Sequence, residues 1–219
     1  MVVDRYLPTL DAFTLTADEQ EAVKSALATR RPWDWEPGGA EAVLIASAKA
    51  KIRDHHLKRH GNKCCYCRVN LYGGGPFMTD REHVLPKSIA AYRALSYTMW
   101  NLGIACKRCN LEYKKGRTDF VVASNDATLF ADGANYRFIH PNFDLYREHM
   151  SRSAQEADEA VLVKYTIVSG SSKGAYTYGY FNLRGLEVDS FDRAQGLDAP
   201  ENFGEAALAA RSLAEDFGQ

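Results

Sequence analysis

Two C-x-x-C knuckles constrain this chain more than any other feature: Cys64-Cys65-Tyr66-Cys67 and Cys106-Lys107-Arg108-Cys109, with 38 residues between them. Two thiolates at that spacing can sit about 2.3 Å from one tetrahedral ion, and a second pair closes its coordination shell. A closed shell of four sulfurs leaves no position for a substrate. The spacing therefore predicts a structural zinc bound by Cys64, Cys67, Cys106 and Cys109, whose binding energy folds a stretch that lacks a large core. Cys65 is the odd residue, because only Cys64 and Cys67 have the two-residue gap. A redox dithiol is the rival reading, but two pairs with basic neighbours fit a metal centre better.

Charge is distributed to match. From Lys49 to Asp119 there are 15 Lys or Arg against 5 Asp or Glu, in a chain whose formal net charge is only −1. Such asymmetry predicts a basic working face between acidic segments; the alternative is a solvated surface that happens to be lopsided. No apolar run approaches the roughly 18–20 residues needed to span a bilayer, so no membrane association is expected. The N-terminus lacks the basic-then-apolar pattern of a secretory signal, which makes the cytoplasm the expected location. Five cysteines in a reducing compartment again argue for metal or chemistry rather than disulfides.

Along the chain, Thr16-Ala17-Asp18-Glu19 reads as a capping box opening a short helix that ends near residue 29, before Arg31-Pro32. Trp33 and Trp35 read as core anchors. A second helix is expected over 40–60, with Leu44, Ile45, Ala48 and Ile52 on one face, Gly61 as its stop, and His55, His56 and His60 as surface residues. Residues 72–76 form a glycine-rich turn. The alternation over 161–183 predicts a β-hairpin turning at 169–172, and 206–213 an amphipathic helix. The fold class is α+β, in three segments: an N-terminal helical segment, 1–62; a zinc-organised core, 63–120; and a C-terminal α+β extension, 121–219, for partner or substrate contacts.

Between the knuckles lie Asp80-Arg81-Glu82-His83-Val84-Leu85-Pro86-Lys87-Ser88 and Trp100-Asn101-Leu102, while Asn110 abuts the second knuckle and Lys114-Lys115-Gly116-Arg117 follow. A lone His after a Glu carries little information. A carboxylate-His pair, an Asn eighteen residues on and another Asn beside C-x-x-C, all in one zinc-organised stretch, carry a good deal. This arrangement over residues 63–117 resembles the zinc-containing HNH endonucleases of the ββα-metal type. The phrase Phe138-Ile139-His140-Pro141-Asn142-Phe143-Asp144 is also similar, more weakly, to HNH proteins encoded beside ATPases in bacterial anti-phage systems.

The first resemblance implies a ββα-metal nuclease core. His83 would be the general base, and Asn101 the residue that holds its loop. Asn110 and Glu82 would be ligands of a catalytic Mg²⁺ or Mn²⁺, with Asp80 the fallback for Glu82, which stands where the family usually has Asp. Hard oxygen ligands suit such ions. Lys107, Arg108, Lys114, Lys115 and Arg117 would contact phosphates. The expected substrate is DNA ahead of RNA, with an ATPase as a further partner. An unperturbed imidazole titrates near ~6.5, so activity is expected to rise with pH through that range. The competing readings are a non-catalytic zinc-ribbon module that binds nucleic acid, a His83 that is merely a core or surface residue, and an Asn110 that caps a turn. His140, before a proline, reads as structural.

Overall fold

The computed structural model describes residues 4–157 and 160–188. The fold is α+β, and the chain divides into two compact units, Met1–Leu145 and Tyr146–Gln219. The boundaries expected at 62/63 and 120/121 do not coincide with this division. One reason is that Ile52 of the second helix packs on Leu102 of the zinc-organised segment. Another is that Phe138 lies against Tyr66 in the first knuckle, with ring centroids 5.5 Å apart.

In the first unit, helix α1 (Ala17–Leu27) opens on the expected capping box: the Glu19 amide donates to Thr16 Oγ1 at 3.3 Å, and the Thr16 amide to Glu19 Oε2 at 2.8 Å. The same carboxylate accepts from Ser47 Oγ and Lys51 Nζ, each at 2.7 Å, which ties α1 to helix α2 (Gly39–Arg59). Ala22, Val23 and Ala26 of α1 meet Ile45 and Ala48 of α2, small residues that let the two helices approach closely. A second face of α2 turns Ile52 towards Trp33 and Leu102.

The histidines of α2 depart from expectation. His56 and His60 are not surface residues but only 0% and 2% exposed, because the far end of α2 is covered by the N-terminal segment, where the Tyr6 ring meets His60 edge-on. Arg59 is buried with them, held by Asp4 at 2.6 and 2.8 Å, by the Pro8 carbonyl and by Asn142.

After a single turn, α3 (Gly75–Met78), the chain enters strand β1 (Thr79–His83), which pairs antiparallel with β2 (Leu102–Cys106) in the register Thr79↔Cys106 to His83↔Leu102. A π-helix, Arg108–Lys114, follows directly, with the Lys115 amide bonding back five residues to the Asn110 carbonyl at 2.8 Å. Two strands alone are marginal in water. Here the pair is buttressed by α2 and by a cluster in which Phe120, Tyr136 and Phe138 stack.

The second unit contains an antiparallel hairpin, β3 (Met150–Ala157) and β4 (Ala160–Ile167), followed by helix α4 (Ser172–Tyr180). The expected hairpin over 161–183 is thus corrected. Its first run is β4, but it pairs with the segment before it, and 172–180 is helical. Ser171 is the N-cap of that helix and accepts from the Gly174 amide at 3.0 Å. Alternation misled here because Tyr176, Tyr178 and Tyr180 simulate a strand face while also lying on a short amphipathic helix. The helix expected over 206–213 lies outside the described residues.

Candidate metal centre and active site

The four cysteines of the two knuckles meet. Cys64, Cys67, Cys106 and Cys109 are all buried, with their sulfurs within 4.8 Å of one another. Cys67 Sγ and Cys106 Sγ are 3.7 Å apart. Four sulfurs placed tetrahedrally at ~2.3 Å from one ion would be about 3.8 Å apart, so the cluster has the dimensions of a four-coordinate metal site. The amides of Cys106 and Cys109 point at Cys64 Sγ (3.3 Å) and Cys106 Sγ (3.5 Å), as amides do where sulfur carries negative charge. Cys65 stands outside the set. Its sulfur lies beside Gly103, and burial pushes its thiol well above the ordinary value, which keeps it protonated and a poor ligand.

β1 and β2 set the neighbouring residues. His83 ends β1 and is 6% exposed. Its Nε2 lies 3.1 Å from the Ser96 carbonyl. A carbonyl only accepts, so Nε2 carries the proton and Nδ1 keeps the lone pair. Trp33 presents its ring edge-to-face to the imidazole at 4.6 Å, which fixes its plane. Burial holds the His83 pKa down at about 3, against a smaller opposing effect of the Ser96 hydrogen bond. The titration through which activity was expected to rise therefore lies well below the ordinary imidazole range.

Asn101 supplies what the middle position needs. Fully buried, it accepts from the Leu85 amide at 2.7 Å and donates to the carbonyls of Leu85 (3.2 Å) and Leu95 (3.3 Å). It closes the loop that leaves His83 and the loop that carries Ser96. Asn110 stands on the π-helix with its amide nitrogen 3.2 Å from Asp80 Oδ2.

Two expected roles are corrected. Lys114 is no phosphate contact: it is 1% exposed, and its ammonium donates to the His83 carbonyl and pairs with Glu82 Oε1, both at 2.7 Å. Glu82 is no open metal ligand either. It is completely buried, and the oxygen held by Lys114 also accepts from Tyr66 Oη at 2.9 Å. Its other oxygen is enclosed and without a partner. Mg²⁺ usually keeps several waters, and Glu82, though it borders a cavity shared with His83, exposes no surface to it. Asp80, the fallback, has its Oδ2 3.2 Å from the Asn110 amide nitrogen, so two of the expected ligands do meet, three residues along β1 from His83. Glu82 therefore does not fit the catalytic dication that the resemblance implies, whereas Asp80 and Asn110 lie together.

Of the remaining expected phosphate contacts, Lys107, Lys115 and Arg117 are exposed and Arg108 half-buried over the Tyr113 ring; Lys107 pairs with Asp80 and Arg117 with Asp119. Lys115 takes a positive φ of 52°, uncommon for a residue with a Cβ, and lines a cavity of about 470 Å³ with His83 and Asn110. Arg30, Arg31, Lys87 and Arg93 line the same cavity and escaped the sequence reading. Arg31-Pro32 signalled only a helix stop in sequence. The fold is what carries that turn, and Trp33 with it, up to His83.

The chain matches no protein-family model and no curated protein.

Proposed function

We propose that this chain is an HNH-type endonuclease that hydrolyses phosphodiester bonds in nucleic acid, DNA ahead of RNA, around one structural zinc. One observation carries the reading: a neutral, oriented imidazole, with its proton committed to the Ser96 carbonyl, lines a cavity in which arginines and lysines outnumber the two carboxylates, Asp34 and Glu82. A module that only binds nucleic acid needs the cations but not a histidine fixed by Trp33, Ser96 and Asn101. In the proposed reaction the cations hold the phosphate against the cavity wall. Nδ1 of His83 takes the proton of the attacking water as its oxygen bonds to phosphorus, and the Nε2–H bond to Ser96 stabilises the imidazolium that results. The ester P–O bond breaks, with its leaving oxygen taking a proton from solvent. The four-sulfur shell suits zinc and leaves it no catalytic position, so it serves the fold.

The cytoplasm is the proposed location, where five thiols stay reduced; among the described residues no helix is long and apolar enough to cross a membrane. A place in anti-phage defence beside an ATPase rests on the resemblance of residues 138–144 alone. In this chain that segment is largely interior: Asn142 donates to the carbonyls of Trp100 (2.9 Å) and Leu102 (2.6 Å). The test is a plasmid and total-RNA cleavage assay of the parent and His83→Ala. The variant should keep its zinc and its DNA affinity while cleavage falls roughly 10²–10⁴-fold, the usual contribution of a positioned base. Cleavage by the variant at the parental rate would end the proposal.

A further inference from the structure

Glu82, Lys114 and the carbonyl of His83 form a buried cluster in which one ammonium does what a bound metal ion would otherwise do. We infer that Lys114 is the resident cation of this site, holding the place beside Glu82 that a divalent ion would need, so that Glu82 binds no metal. As support for His83 it depends on the hydrolase reading; as a cation in Glu82's seat it depends on geometry alone.

Three observations converge. Lys114 Nζ lies 2.7 Å from Glu82 Oε1 with both side chains 1% exposed. The same ammonium donates to the His83 carbonyl at 2.7 Å, so it ties the carboxylate to the backbone of the proposed base. Three of the groups facing it fit a monovalent cation: the carboxylate, that carbonyl, and the face of Phe120 at 5.8 Å. A dication at ~2.1 Å from Glu82 Oε1, or from the unpartnered Oε2, would lie within about 5–7 Å of the ammonium. Two such cations repel where both side chains are buried.

The winding of the helix explains how a lysine reaches this place. Lys114 follows Asn110 by four residues, and the turn between them is π-wound, closing on the Lys115-to-Asn110 bond. Both lysines border the cavity, but Lys114 is directed inwards and buried, while Lys115, released into a positive φ, is exposed. Two adjacent lysines of identical appearance in sequence thus divide the work. Lys114 is a positioning residue under His83, and Lys115 faces the ligand space.

The experiment is Mn²⁺ binding to zinc-loaded protein, read by the electron paramagnetic resonance signal of free Mn²⁺, with no cleavage measured. Parent and Glu82→Gln should take up Mn²⁺ identically. Lys114→Ala should gain one Mn²⁺ per chain, and Lys114→Ala with Glu82→Gln should lose it again. Mn²⁺ bound by the parent and lost in Glu82→Gln would overturn the inference, as would a folded, zinc-loaded Lys114→Ala with no added site. Lys114→Ser serves if the alanine variant does not fold, and the parent against Glu82→Gln decides if neither does. A His83→Ala protein that still cuts nucleic acid would sink the hydrolase reading and leave these binding results unchanged, so the two failures are told apart.

Discussion

Burying a histidine in neutral form makes stability depend on acid, and for His83 the size follows from its surroundings. Unfolded, the ring binds a proton near pH ~6.5. Folded, burial between Trp33 and the Ser96 loop holds the pKa at about 3. Between those values the unfolded chain binds more protons than the folded one, so stability is complete above about pH 7 and falls as pH drops. At pH 5.5 a group shifted this way has lost about 1.4 kcal/mol of its contribution, and at pH 7.5 almost none. His56, also held at about 3, and His60, held well below the ordinary value, are lowered by burial first and push the same way. The parent's total loss therefore exceeds the share of His83, and a comparison isolates that share. Urea unfolding of the parent and His83→Gln at pH 7.5 and 5.5 should show the parent losing about 1.4 kcal/mol more than the variant. Equal losses would show that His83 is as easily protonated in the fold as outside it. In that case the neutral imidazole on which the proposed chemistry rests is not there at mildly acidic pH.

Three further outcomes follow from the same geometry. Elemental analysis should find about one zinc per chain in the parent and in Cys65→Ser, whose sulfur lies outside the cluster, and little in Cys106→Ser, which should also fold poorly. Asn101→Ala strands the Leu85 amide and loosens two carbonyls, so it should lower unfolding free energy by about 2–4 kcal/mol in urea titrations, with cleavage falling as well. Lys115→Ala should weaken DNA binding to all sequences alike and flatten the slope of log K against log salt by about 0.9, while Lys114, being interior, contributes nothing to that slope.

The metal cluster was legible because C-x-x-C is a local device: two residues of spacing suffice to aim two sulfurs, and the fold need only bring two such devices together. The α1 capping box was legible for the same reason. What stayed hidden depended on direction rather than identity. Glu82 and Lys114 look like surface chemistry in a list of residues. Only their burial against one another, at the end of β1 and on the π-wound turn, shows that both point inwards. Arg30, Arg31 and Trp33 reach the cavity through tertiary placement of a turn some fifty residues before His83, for which the sequence carries no periodic signal. The hairpin over 161–183 was misread because Gly and Ser at 169–172 punctuate a strand-to-helix junction as readily as a strand-to-strand turn.

A two-stranded sheet with a short helix has little apolar surface to bury, and here buried polar groups hold it in place. Asn101 closes one loop, and Asn142 holds the backbone of Trp100 and Leu102 while accepting from Arg59 at 3.1 Å. Lys114 joins Glu82 to the His83 carbonyl. Removing any of these leaves a buried donor, acceptor or charge without its partner, which costs far more than the bond itself contributes. Loss of activity in such variants would therefore say little about chemistry, since the fold would suffer with it. His83 differs from them. Its ring makes one hydrogen bond, to the Ser96 carbonyl, and one edge-to-face contact, with Trp33, and it pairs with no buried charge. Of the residues proposed for the reaction, it is the one whose replacement can remove a proton acceptor while leaving the metal centre and the polar ties intact.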